Sequence, residues 1–300
     1  MGCSSEANRS PLHPSFDGEA ALADLVELCR RFGPRPAGSE PSHAQRRWIA
    51  QRLESYGATL SEQPFRLRDP LDGQLLEAAN LIASWKPRTR QRLLIGTHAD
   101  TRPFPDLEPD PARRAQGYLG ANDGGSGVAL LLELARHLEG WLAQATIPLG
   151  VDLVFFDAEE RVVGERGVYC LGSRHFVAHQ SPQRLAAYAA AVVIDIVAAP
   201  DLTILIEPHG WIHAPQLTHD LFQAAAAVGA HGFQPRIGPA VFDDHLPLLA
   251  AGIPAALLID IRDPAWHTAA DLPQRCSAVS LAQVGHTLTH WLLQQLNDPA

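Results

Sequence analysis

The chain is predicted to be one α/β domain, a three-layer sandwich whose mostly parallel mixed central sheet carries helices on both faces. Three observations predict this. Strand-like and helix-like segments alternate through most of the chain. The strands are near-continuous apolar runs, such as Leu93 to Gly96 and Val151 to Phe156, which suits strands buried on both sides. No composition break or Gly/Ser linker divides the sequence. With 46% apolar and 19% charged residues among 300, the composition excludes disorder as the main state.

Read in order, Phe16 to Phe32 spaces Leu22, Leu25, Val26 and Cys29 as a helix does, and Gly33-Pro34-Arg35-Pro36 stops it. Ser42 to Tyr56 is a second helix with Trp48, Ile49, Leu53 and Tyr56 on one face, closed by Gly57. Strand-like runs follow at Thr59 to Arg66, Ala79 to Trp85 and Arg92 to Thr97. Helices are then expected at Val128 to Leu138, Val168 to His179, Gln216 to Val228 and Ser280 to Leu296, with strands at Val151 to Phe156, Ala189 to Ile196 and Pro254 to Ile261. Residues 16–300 form the expected catalytic domain, behind a flexible leading segment at 1–15.

Charge and cysteine content narrow the function. Twenty-four basic against 33 acidic residues give a formal charge of -9, which argues against a nucleic-acid or anionic-membrane footprint and disfavours acidic substrates. Nearly all the cations are arginine, with Lys86 the one lysine, a bias we assign to codon usage. No apolar run approaches the roughly 20 residues of a transmembrane helix. Cys3, Cys29, Cys170 and Cys276 lack Cys-x-x-Cys spacing, so buried free thiols are expected beyond the start. The start itself, Met1-Gly2-Cys3-Ser4-Ser5, is similar to the end of a bacterial lipoprotein signal lacking its apolar segment, which would put the protein in the periplasm or cell envelope, lipid-anchored through Cys3.

In α/β folds the sites lie in loops beyond the carboxyl ends of strands. Here those loops carry His98-Ala99-Asp100 leading to Asn122-Asp123-Gly124, then Asp157-Ala158-Glu159-Glu160, then Asp195, then Trp266-His267-Thr268. Asp123, Glu160 and His267 supply two carboxylates and an imidazole, leaving a fourth position open, as a catalytic zinc requires. Singly, Asp123 reads equally as a turn residue and His267 as a surface histidine; their common placement favours a site. Adjacent Glu159 and Glu160 at the end of an apolar strand repel each other unless a cation intervenes. With Glu160 on the metal, Glu159 is left to hold or pass a proton at a raised pKa; a solvated acidic loop is the plainer reading. Gly124-Gly125-Ser126-Gly127 lacks the lysine of a phosphate loop, so its glycines are assigned to close backbone approach at the metal and to starting a helix. No Gly-x-Ser-x-Gly elbow is present.

These motifs together resemble the zinc aminopeptidase superfamily, and within it the animal-type glutaminyl-peptide cyclotransferases, from about Phe32 onward. Three segments carry the narrower likeness: Gly172-Ser173-Arg174-His175, Asp243-Asp244-His245-Leu246-Pro247 and Trp266-His267-Thr268. The resemblance implies one Zn²⁺ on Asp123, Glu160 and His267, Glu159 as proton shuttle, Asp195 and Asp243 as a hydrogen-bonded acid pair, and Trp266 as a wall of the substrate pocket. It implies peptide or protein substrates with an N-terminal glutamine; a monomer is expected. One departure stands out: Leu257 occupies the place of a histidine in the mammalian members, so a polar partner of the acid network is missing or supplied elsewhere.

Two other readings stay open. A two-zinc aminopeptidase would use His98 and Asp195 for a second metal, with Asp123 bridging and Glu159 activating water. A non-catalytic binding ectodomain would have kept the fold and lost the site, against which the intact Asp123, Glu159, Glu160 and His267 argue.

Overall fold

Alternating β-branched and aliphatic residues in the central strands send one set of side chains to each face, and both sets are buried. The computed structural model describes residues 16–297, so the Cys3 start and the leading segment lie outside the described residues. Chain order runs α1 (Gly18–Phe32), α2 (Glu40–Ser55), β1 (Thr59–Arg68), β2 (Leu75–Trp85), β3 (Gln91–His98), the one-turn α3 (Pro111–Arg114) and α4 (Gly125–Gln144). Next come β4 (Leu149–Phe156), a hairpin of β5 (Val162–Val163) and β6 (Arg166–Gly167), α5 (Leu171–Ala178), the one-turn α6 (Pro182–Leu185) and β7 (Tyr188–Asp195). The last part holds β8 (Ile204–Ile206), α7 (Pro208–His213), α8 (Pro215–Ala227), β9 (Phe233–Ile237), α9 (His245–Ala250), β10 (Ala255–Ile259) and α10 (Ala278–Asn297).

The main sheet has the order β1-β2-β4-β3-β7-β10. β4, β3, β7 and β10 are parallel neighbours, while β2 is antiparallel to β1 and β4. Leu93, Ile95, Leu153, Phe155, Val192, Ile194 and Leu258 face one apolar layer with α1, α2, α4, α8 and α10. Leu94, Val154, Phe156, Val193 and Leu257 face the other, under α5 and α9. The predicted three-layer sandwich is thus present, with the carboxyl ends of β3, β4, β7 and β10 on one rim. Among the described residues no helix is long and apolar enough to cross a membrane.

Local differences from the sequence reading have identifiable causes. α1 buries Ala21, Leu25, Leu28 and Cys29, while Val26 is exposed, because the face it turns to α4 and α10 is centred on Leu25 and Leu28, to one side of Val26. The helix expected from Val168 starts only at Leu171: Val168 N–H donates to Arg161 O beside the β5–β6 hairpin, and Cys170 (φ 61°) is left-handed. The short parallel pair β8–β9 follows no alternation strong enough to mark it.

At the opposite rim, burial of a charge in the sheet is fully compensated. Asp152 on β4 accepts from Ser84 Oγ (2.5 Å), Arg92 Nε (2.9 Å), Arg184 Nη2 (2.7 Å) and Tyr188 Oη (2.7 Å), so β2, β3, β4 and β7 share one carboxylate. Arg92 and Asp152 have no solvent exposure, and removing one partner strands the other. Asp152→Ala is expected to cost about 3–5 kcal/mol in chemical denaturation; a loss below ~1 kcal/mol would show that the network is dispensable.

Candidate active site

Four strand ends and the loops after them build the site. His98 ends β3 and Asp195 ends β7; Glu159 and Glu160 follow β4, Asp123 precedes α4, and His267 lies in the loop after β10. Gly124 (φ 76°) makes the approach of this loop to β3 possible, since a Cβ there would stand 2.8 Å from the His98 ring and 2.9 Å from Asp100 O. Gly124 thus serves contact with the end of β3, and α4 starts at Gly125 as expected. Of five non-glycine residues with positive φ among those described, Ala158, Ile196 and His267 are site residues or their neighbours, and Cys170 touches Glu159. Backbone strain concentrates where side chains must converge.

The three residues read as ligands do converge. Asp123, Glu160 and His267 are buried, with one donor atom of each within 4.8 Å of the others. His267 Nε2 lies 3.3 Å from Asp123 Oδ2 and 3.5 Å from Glu160 Oε1, yet finds no hydrogen-bond partner. A buried imidazole nitrogen without a partner, faced by two carboxylate oxygens, fits a cation held among the three. Burial would push both carboxyls up, but for Asp123 the two imidazoles of His267 and His98 hold it low, and for Glu160 His267 and Arg102 do so against the added repulsion of Asp123.

His98 and Asp195, the residues read for a second metal, also gather on Asp123. His98 Nε2 is 3.0 Å from Asp195 Oδ1 and 3.1 Å from Asp123 Oδ1, and its Nδ1 is 3.1 Å from Asp100 O. Unlike His267, this ring has hydrogen bonds at both nitrogens.

Beside this centre opens a pocket of about 250 Å³ lined by Glu159, Asp195, Asp243, Trp266, Tyr169 and Phe242 among others. Burial, then the neighbouring Glu160, raises the Glu159 carboxyl well above its ordinary value, and Cys170 Sγ lies 3.3 Å from its Oε1. Asp243 is pushed up to about 7 by burial and by Asp195. Trp266 lies against the His267 ring, centroids 4.0 Å apart. Asp195 and Asp243 are near enough for Asp195 to help raise Asp243, while the hydrogen bonds each accepts come from other groups. Asp195 pairs with His98, and Asp243 Oδ1 accepts the Asp244 backbone N–H. Leu257 lies in the apolar layer.

Several working residues were not singled out by sequence. Asp100 accepts the backbone N–H of Glu159 (3.0 Å) and Glu160 (3.1 Å), and Asp271 those of Asn122 (2.7 Å) and Asp123 (3.1 Å). Tyr118 Oη sits 3.0 Å from Asp123 Oδ2 and 2.8 Å from Asp271 Oδ2, and accepts from His267 N–H at 3.3 Å. Ser173 Oγ donates to Asp244 Oδ1 (2.5 Å), joining two of the three cyclotransferase-like segments. Asp100 at least stood in a quoted motif; Tyr118 and Asp271 carried no signal.

Comparison with known proteins agrees with this geometry. The model of peptidase family M28 matches residues 80–292. The chain belongs to that family. A glutaminyl-peptide cyclotransferase-like protein of Mus musculus is 28% identical over 294 residues, covering 87% of this chain and 72% of the relative. The crystal structure of Porphyromonas gingivalis glutaminyl cyclase has a TM-score of 0.85 at 34% identity, over 93% of this chain and 99% of that one. A Zn-dependent exopeptidase from Parabacteroides distasonis has a TM-score of 0.84 at 28% identity, over 95% and 99%.

The two glutamates should separate by metal content. Glu160→Gln is expected to lose zinc, and Glu159→Gln to retain it, in metal analysis of the purified chains; equal loss from both would overturn the division.

Proposed function

We infer that the protein is a glutaminyl-peptide cyclotransferase, an acyltransferase that closes an N-terminal glutamine of a peptide to pyroglutamate and releases ammonia. The observation that carries the reading is Glu159: a buried carboxyl held at raised pKa, facing a pocket walled by Trp266 and adjoining the Asp123, Glu160 and His267 cluster. The similarity to glutaminyl cyclases supports the same activity.

The reaction makes limited demands. The α-amine of glutamine lies a few bonds from its own side-chain amide, so closure costs little entropy and needs chiefly an activated carbonyl and a protonated leaving nitrogen. Zinc held by Asp123, Glu160 and His267 supplies a Lewis acid for that carbonyl oxygen when bound. Glu159 accepts a proton from the amine as its nitrogen forms the ring C–N bond, then donates that proton to the amide nitrogen as the old C–N bond breaks and ammonia leaves. A raised pKa suits a group that must take and return one proton near neutrality. Asp195 and Asp243 flank the pocket and would hydrogen-bond the leaving nitrogen, and the Trp266 face would pack on the glutamine side chain.

We assign one zinc per chain. His98 Nε2 already hydrogen-bonds Asp195, whereas His267 Nε2 has no partner, so only one of the two clusters leaves a ring nitrogen unused. The two-zinc aminopeptidase keeps its ligand types, and the cyclotransferase-like segments at Asp243 and Trp266 weigh against it. A monomer, one catalytic domain over 16–300 and an envelope location through Cys3 complete the reading; the last is supported by the Met1-Gly2-Cys3 start alone.

Purified protein is expected to release ammonia from an N-terminal glutaminyl peptide amide with about one zinc per chain. Release of leucine from leucyl amide at about two zincs, without ammonia from the glutaminyl substrate, would sink the assignment. In the same assay Glu159→Gln should lower kcat by about 10²–10⁴-fold.

A further inference from the structure

Arg102 is buried to 1% exposure in the loop after β3, and no role in the reaction above calls for it. A guanidinium has five N–H donors in a fixed fork, and here each has an acceptor. Nε donates to Glu160 Oε2 (2.5 Å) and Nη2 to Glu160 Oε1 (3.1 Å). Nη2 also donates to Tyr169 Oη (2.7 Å), and Nη1 to Asp106 Oδ2 (2.9 Å) and Val162 O (3.1 Å). Asp106 extends the chain of contacts. Its Oδ1 is buried without a hydrogen-bond partner and lies 3.7 Å from His267 Nδ1, while the other ring nitrogen, Nε2, is the one aimed at Asp123 and Glu160.

We propose that Arg102 is a positioning residue that engages Glu160 Oε2 and, through Asp106, orients His267, so that a metal meets one oxygen of Glu160 and Nε2 of His267. The proposal rests on the metal assignment made above. A ligating histidine whose second nitrogen faces a carboxylate is fixed in tautomer and ring orientation, and such outer contacts set metal affinity. The shorter contact is to Oε2, which leaves Oε1, the oxygen nearer His267, for sharing with the ion. Lysine cannot replace this arrangement: it keeps the charge, and so the electrostatics at Glu160, but a point ammonium cannot bind five acceptors in one plane.

Arg102→Lys therefore isolates the geometry from the charge. Zinc affinity, measured by competition with a chromophoric chelator, should fall about 10–100-fold, a loss separate from the drop in melting temperature that unpaired acceptors impose on the metal-free chain. Asp106→Asn should lower zinc affinity in the same direction through His267 alone. With cobalt(II) in place of zinc, the visible bands of Arg102→Lys should weaken, as Glu160 becomes free to add its second oxygen and raise the coordination number. A parent chain that takes up no zinc overturns the metal assignment itself. A parent that binds zinc, beside an Arg102→Lys variant that binds as tightly or more tightly, overturns this proposal alone. Should Arg102→Lys fail to fold, unchanged zinc affinity in Asp106→Asn overturns it and a fall supports it.

Discussion

The site depends on one repeated interaction: a carboxylate that accepts two successive backbone N–H groups. Asp100 does this for Glu159 and Glu160, and Asp271 for Asn122 and Asp123. Each fork satisfies donors that irregular loops would otherwise bury unpaired, and the same bonds stabilise the buried charge of the carboxylate that accepts them. The loops that carry two of the proposed metal ligands are therefore held by acids that are not ligands. Tyr118 ties the Asp271 fork to the His267 backbone, and the third ligand is thereby fixed to the first. The strained backbone at Ala158 and His267 persists because these bonds over-determine it.

What sequence showed and what it hid follow from the range of the interactions. Apolar runs bounded by turn residues are local, so the central strands and long helices were legible, although α4 runs on to Gln144, six residues past the expected Leu138, and the rim that bears the site followed from strand direction. Asp123, Glu160 and His267 were legible because each sits just past such a strand or at a glycine-rich helix start. Asp271 was not: its partners are 148 and 149 residues away, and nothing near it in sequence marks it. Arg102 was hidden in the same way, bonding Glu160 across 58 residues. The donors that Asp195 and Asp243 accept from were not legible: a strand end places a residue at the rim, but its hydrogen-bond partner depends on a few ångströms of loop geometry.

The formal charge of -9 treats every acid as ionised. Burial changes that at the site, where Asp123, Glu159, Glu160, Asp195, Asp243 and Asp244 all lie below the surface. Arg102 offsets one of these charges directly, and His98 lies between two of the acids. The remaining excess must be met by a cation, by protons, or by both.

The structure divides that excess by position. Burial acts on all six carboxyls in the same direction, and for five of them the charge each one faces decides the outcome; Asp195 stays raised despite His98, because burial, Asp123 and Glu160 outweigh that imidazole. Asp123 and Glu160 face imidazoles or the Arg102 guanidinium and are held low. Glu159 faces Glu160, Asp243 faces Asp195, and Asp244 faces Asp243, and all three are raised. Acids held ionised can hold a metal, and acids whose pKa is raised are better placed to exchange a proton. A cation held by Asp123, Glu160 and His267 would strengthen the same sorting, since its charge favours the ionised form of the acids that hold it. Two adjacent glutamates of identical chemistry thus come to different tasks because His267 and Arg102 meet only one of them, and the carboxyl that faces the pocket is left to exchange a proton.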